Sequence, residues 1–117
     1  MNVIGSRPDG WWQDRHGAMA RLVRHLDRWV AAAGEEVAVV FERPPSPPID
    51  SSAVEVTGAR HGGANAADDE IVRRVGADHE PRSITVVTSD RELARRVRAA
   101  GASVEPAAAF RSRLDAV

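Results

Sequence analysis

The amino-acid sequence predicts an α/β fold, in the form of a three-layer α/β/α sandwich around a mostly parallel, Rossmann-like sheet. Short runs of β-branched residues alternate along the chain with longer segments of helical periodicity, and this alternation is typical of βαβ units. The most continuous of these runs is Ser83–Val87. Such a run indicates a strand that is buried on both faces, as strands are inside a parallel sheet.

The first half of the chain contains three predicted strands and one long helix. Met1–Ile4 predicts the end of a strand, and a loop rich in glycine and proline follows it. Along Trp12–Ala33 an apolar residue recurs every three or four positions, which predicts a helix with one buried stripe. Val37–Phe41 predicts a second buried strand, and the alternating segment Ala53–Thr57 predicts a half-buried third. The prolines within residues 43–48 predict a surface loop.

The second half of the chain contains three predicted helices, each preceded by a start signal. A helix is predicted from residue 66 to residue 75 or 78, with Asn65 as its N-cap. Ser89–Glu92 matches a capping box, which predicts that another helix begins there. A short edge strand is expected at Ala102–Glu105, and Pro106 is expected at the first position of the last helix.

The composition indicates one globular domain that covers residues 1–117. The chain is long enough for a single core, and its hydrophobic fraction of 43% is ordinary for a folded protein. The absence of cysteine excludes disulfides and thiolate metal sites. The sequence contains neither an apolar run of membrane-spanning length nor the pattern of a signal peptide. We therefore expect a cytoplasmic protein with no membrane partner.

The net charge of the chain is ordinary, but the choice of basic residues is unusual. The net charge is −1, and all 16 basic residues are arginines. Arginine binds phosphate with two parallel hydrogen bonds, so this choice is compatible with nucleic acid as a partner. A GC-rich genome would produce the same bias. The overall charge therefore does not identify the partner.

Four acidic residues are predicted to lie near one edge of the sheet. Glu42 and Asp90 follow predicted strands, and Asp68 and Asp69 are in the first turn of a predicted helix. The ligand crevice of an open α/β sheet lies at the carboxyl ends of its strands. Carboxylates without histidine or cysteine suit Mg²⁺ or a similar hard cation, and such ions support phosphodiester hydrolysis. The alternative is that the acids at helix starts interact only with the helix dipole.

Other catalytic patterns are weaker. The four histidines show no metal-ligand spacing. The serines and threonines at loop positions lack a histidine and aspartate partner set for nucleophilic catalysis. Gly62-Gly63 lacks the lysine and the full pattern of a phosphate-binding P-loop. The strand-end acids therefore remain the main candidates.

Three segments resemble, in the same order, the signature of the YacP-like branch of NYN domains, which have the PIN-like ribonuclease fold. They are Asn2–Ser6, Ala66–Ile71 and Val86–Asp90. The segment Val37–Glu42 is similar to the second strand of the family, which usually ends in Phe-Asp rather than Phe-Glu. The resemblance extends over nearly the whole chain.

The resemblance implies a metal-dependent ribonuclease that hydrolyses phosphodiester bonds of single-stranded RNA, with Mg²⁺ or Mn²⁺ as cofactor. Asp68 and Asp90 would be catalytic acids and metal ligands, and Asn2 would orient the groups around the metal. Two further acids would support the metal, and two hydroxyl residues would order the loop beside it. These four supporting residues are Asp69, Glu42, Ser89 and Thr88.

One departure from the family pattern affects the first motif. An aspartate precedes the asparagine by three positions in the family, whereas the asparagine here is residue 2. We therefore expect the chain to be truncated at its N-terminus and to lack most of its first strand and one acidic ligand. The alternatives are a catalytically impaired domain that binds RNA or a protein partner, and a nucleotide-handling sandwich unrelated to nucleases. Homodimer formation is left open.

Overall fold

A parallel sheet with helices on both faces forms the structure. The computed structural model describes residues 2–5, 15–42, 45–51, 53–59 and 65–116. The elements in these ranges are β1 (Asn2–Gly5), α1 (Arg15–Ala33), β2 (Val37–Phe41), β3 (Val54–Gly58), α2 (Ala66–Ala77), a 3₁₀ turn (Pro81–Ser83), β4 (Thr85–Val87), α3 (Arg91–Ala99), β5 (Ser103–Glu105) and α4 (Ala107–Asp115). The predicted α/β class is confirmed.

The strands pair in the order β3-β2-β1-β4-β5, and every pairing is parallel. The chain runs outward from β1 through β2 to β3, and then crosses to the other side of β1 for β4 and β5. The strand order therefore reverses between β1 and β4. In an open parallel sheet, the crevice at the carboxyl ends of the strands beside this reversal is the usual ligand site.

Each face of the sheet packs against a different pair of helices. On one face, α1 and α4 cover β2 with Leu26, Trp29 and Phe110. On the other face, α2 and α3 cover β2 and β4 in the same way, and Ile71 and Val97 are fully buried there. Because both faces are covered, every residue of β2 is buried. This double burial explains why β2 is continuously apolar, and why two valines follow one another in β4.

The predicted stripe of the first helix faces the core. Val23, Leu26 and Trp29 on α1 are each at most 3% exposed. The Trp29 ring meets the Phe110 ring edge to face, with their centroids 5.1 Å apart. The predicted helix start at Trp12 lies outside the described residues. No helix in the described ranges is both long enough and apolar enough to cross a membrane.

A 3₁₀ turn replaces the predicted start of the central apolar strand. The backbone N–H of Ser83 donates to Glu80 O, and that of Ile84 donates to Pro81 O, at 2.9 and 3.0 Å. Pro81 favours the turn because its ring fixes φ near the helical value. Consequently β4 begins at Thr85, two positions later than the apolar run suggested.

Gly101 ends α3 in a conformation that other residues rarely adopt. Its φ is +106°, and a Cβ added at this position would lie 3.1 Å from Cβ of Pro81. The next N–H, of Ala102, donates to Val97 O at 3.0 Å. Glycine at this position therefore allows the chain to turn tightly from α3 into β5.

We expect Gly101→Ala to lower the free energy of unfolding by about 1–3 kcal/mol, because the variant combines an unfavourable φ with a close contact to Pro81. Gly76→Ala is the matched control. Gly76 lies within α2, and a Cβ there meets nothing within 4 Å, so this change should be neutral or stabilising by up to about 1 kcal/mol. Urea denaturation measures both values, and equal effects would contradict the explanation.

Candidate active site

The loop after β4 carries Asp90, and two hydroxyl groups fix its shape. Thr88 is buried, and its Oγ1 accepts a hydrogen bond from the Asp90 N–H at 3.0 Å. The Thr88 N–H donates to Glu105 O at 3.0 Å, which ties the loop to β5. Ser89 Oγ accepts from the Ala107 N–H at 3.1 Å, at the start of α4. The loop is therefore attached to two neighbouring elements.

Asp90 is the N-cap of α3. Its Oδ1 accepts a hydrogen bond from the Leu93 N–H at 2.8 Å. The capping box predicted at Ser89–Glu92 does not form, because Ser89 Oγ accepts from the start of α4 and Glu92 pairs with Arg95. The cap fixes the direction of the Asp90 carboxylate, and it engages only one of the two carboxylate oxygens.

Asp68 and Asp69 lie in the first turn of α2, as predicted. Asn65 is the N-cap by position, and its backbone carbonyl accepts from the Asp69 N–H at 2.9 Å, although its side chain makes no capping bond. Asp69 Oδ1 is 2.9 Å from Nη1 of Arg96 on α3. This ion pair is partly exposed, so it contributes at most about 1 kcal/mol.

The electrostatics of Asp68 indicate that the predicted acids lie close together. The pKa of Asp68 is raised above its ordinary value of 3.8, first because burial penalises the charged form. The negative charge of Asp90 is the next cause, and Asp69 and Glu42 raise the pKa further. Arg96 acts in the opposite direction. Glu42 follows β2 directly and is half-buried.

Asn2 lies elsewhere in the sheet. In the strand register it is opposite Val37 and Thr85, the first residues of β2 and β4. The carboxyl edge of the sheet, where Asp68, Asp90 and Glu42 lie, is called the acid edge below. The β1 residue nearest to it is Gly5, and Asn2 lies three residues earlier, which corresponds to about 10 Å along a strand. The backbone therefore does not bring Asn2 to the acids, and its predicted catalytic role stays a prediction.

The donor types at this edge fit a hard divalent cation, although they form no large cluster. Within the described ranges, no group of three or more histidines or acids is arranged to hold a metal ion. Mg²⁺ commonly binds proteins through one or two carboxylates and keeps several waters. The mutual repulsion around Asp68 is the charge pattern that a cation would relieve. Asp68 and Asp90 are thus the pair that could hold such an ion.

The structure also reveals charged contacts that the sequence analysis missed. Glu70 is only 8% exposed, and it accepts from Arg73 and Arg74, whose hydrogen bonds lower its pKa. The i, i+3 and i, i+4 spacing of these residues was the available signal. Glu105 ends β5 and pairs with Arg113 at 2.5 Å. Glu105 thus lies at the end of a strand, as do the predicted acids Glu42 and Asp90.

Comparison with known families and structures agrees with this architecture. The model of the YacP-like NYN domain matches residues 2–117, which confirms the resemblance found in the sequence. The crystal structure of Rae1 (YacP) from Bacillus subtilis matches with a TM-score of 0.78 and 18% identity, over 99% of this chain and 74% of that chain. Its W164L mutant matches with a TM-score of 0.76 and 17% identity, over 98% and 74%. Among curated proteins, no sequence matches significantly.

We expect Asp90→Ala to lower the free energy of unfolding by about 1 kcal/mol, because it removes the N-cap of α3. Asp90→Asn should retain most of that stability, since the asparagine side-chain oxygen can accept from Leu93 N–H. Chemical denaturation of the two variants in chelator measures the difference. Equal losses in the two variants would contradict the capping hydrogen bond as the source of this stability.

We expect Asp68→Asn to raise the melting temperature of the metal-free protein at neutral pH. An acid whose pKa is raised by folding destabilises the folded state while it is ionised, and the asparagine removes that charge. The difference in melting temperature between the variant and the wild type should shrink as the pH falls through the raised pKa of Asp68, and vanish below the ordinary pKa of 3.8. Thermal unfolding in chelator across this range tests it, and a lower melting temperature at pH 7 would refute it.

Proposed function

The chain belongs to the YacP-like NYN family, whose fold is nuclease-like, and we propose that it is a metal-dependent ribonuclease domain. Its proposed substrate is single-stranded RNA, in which it hydrolyses phosphodiester bonds. The observation that supports this most directly is the electrostatic coupling of Asp68 and Asp90. The pair lies at the carboxyl edge of the sheet, where the strand order reverses.

Asp68 and Asp90 are the residues that would hold Mg²⁺ or Mn²⁺, with Asp69 and Glu42 close enough to add to the negative field. When bound, an ion of this kind lowers the pKa of water and neutralises charge that develops on a phosphate. The protein contributes fixed carboxylates. The cap to Leu93 and the Thr88 hydroxyl hold the Asp90 backbone and side chain in place before any substrate arrives.

The unfavourable charge at Asp68 supports a role in binding rather than in folding. A carboxylate that only stabilised a helix start would gain from the dipole and would have its pKa lowered. The pKa of Asp68 is raised instead, because the effects of burial and of the neighbouring acids dominate. Such a cost to the folded state is common where ionisable groups serve a function.

A second candidate function is RNA binding without cleavage. It is favoured by one observation: the described residues include no group of three or more acids or histidines that could hold one metal ion. In that case the arginines would bind RNA phosphates without the help of a metal. RNA binding would then persist in chelator and weaken with salt, and no cleavage products would form in Mn²⁺.

We expect Asp90→Asn and Asp68→Asn each to reduce Mn²⁺-dependent cleavage of a single-stranded RNA oligonucleotide by at least about 100-fold, because each removes a charged ligand. Gel analysis of end-labelled RNA measures the rate. Asp115→Asn, at the far end of α4 from this edge, is the matched control and should cleave normally. Cleavage by Asp90→Asn at the wild-type rate would refute the assignment.

A further inference from the structure

Arg96 extends from α3 towards the acid edge. Its Nη1 lies 2.9 Å from Asp69 Oδ1 on α2, and its side chain is 31% exposed. It is also the positive charge that acts on Asp68. A guanidinium has five N–H donors, and the contact with Asp69 engages one of its nitrogens. Arg96 thus presents a cation beside the carboxylates that are proposed to hold the metal.

The neighbouring arginine on the same helix is placed differently. Arg95 is 68% exposed and binds Glu92 through two nitrogens, with Nη2 and Nε at 2.5 and 3.1 Å from the two carboxylate oxygens. Both of these residues belong to α3, so the pair stays on the outer surface of that helix. Arg96 instead crosses to a different helix and makes a single contact there. Two adjacent residues of the same type therefore have different surroundings.

We propose that Arg96 binds a phosphate of the RNA next to the one that is cleaved, and that Asp69 positions Arg96 instead of binding the metal. This inference rests on the proposed function, since it requires RNA to reach this edge. The edge carries Asp68 and three further carboxylates that act on it, and a polyanion approaching it needs a compensating cation. A guanidinium binds phosphate through two parallel hydrogen bonds.

The exposure of Asp69 makes the exchange of partners feasible. Its side chain is 64% exposed, and solvent-exposed ion pairs are weak. A phosphate can therefore replace Asp69 on Arg96 at little cost. Before RNA binds, Asp69 holds the guanidinium at the mouth of the site and limits the conformations that the long side chain samples.

The test measures RNA binding in chelator, so that it depends on neither metal nor cleavage. Fluorescence anisotropy with a labelled, unstructured RNA oligonucleotide gives the affinity of the full chain at several NaCl concentrations. We expect Arg96→Gln to weaken RNA binding by about 10-fold or more. The slope of log affinity against log NaCl concentration (the salt slope) should fall by about one, as expected for the loss of one phosphate contact. Arg95→Gln is the matched control and should remain within about twofold of wild type. Arg96→Lys should restore part of the loss, because it keeps the charge.

Asp69→Asn separates the two roles considered for Asp69. If Asp69 positions Arg96 without binding the metal, the rise in melting temperature caused by Mn²⁺ is retained, while RNA binding in chelator weakens by less than in Arg96→Gln, because the guanidinium has lost its charged partner. Unchanged RNA binding would overturn the positioning role. Loss of the Mn²⁺ response would make Asp69 a metal ligand and overturn that half of the proposal.

The outcomes also distinguish this inference from the proposed function. If Arg96→Gln binds RNA with the affinity and salt slope of the wild type, and the wild type cleaves RNA, only the role of Arg96 is overturned. Weakened binding by Arg96→Gln, with no cleavage by any variant, would support Arg96 and overturn the nuclease. A wild-type chain that does not bind RNA would overturn both.

Discussion

A parallel sheet must be covered on both faces, and the rest of this structure depends on that constraint. Two helices pack on each side of the sheet. Because all the strands are parallel, each helix begins at the carboxyl edge and returns along the sheet. Helix starts and strand ends are thereby collected along one edge. Asp68 and Asp90 therefore lie near enough to interact electrostatically, although they belong to different βα units. The convergence of charge is a product of the topology.

That convergence is costly to the folded state, and the surrounding contacts indicate how the cost is distributed. Asp90 satisfies a helix N–H, and Asp69 has Arg96 as a partner. Glu70, one residue further along α2, has two arginines and a lowered pKa. The pKa of Asp68, in contrast, is raised by burial and by neighbouring acids, which Arg96 only partly offsets. The electrostatic cost is therefore evident at this one side chain.

The sequence predicted the features that depend on local pattern, and it failed for those that depend on register and long side chains. Val37–Phe41 and the acids at helix starts followed from apolar runs and capping signals. The pairing of Asp69 with Arg96 joins two helices, and no spacing within the chain indicates it. The position of Asn2 depends on how β1 aligns with its neighbours, which the motif alone did not determine.

The hydrogen bonds that shape the loop after β4 have a consequence for the synthesis of the protein. Thr88 donates to Glu105 O, and Ser89 accepts from the Ala107 N–H. A chain emerging from the ribosome supplies these partners only after most of the sheet has been translated. The loop that carries Asp90 therefore reaches its final shape late, after β5 has paired. In a nascent chain, the carboxylate of Asp90 would thus be fixed only once residues 105 and 107 have left the ribosome.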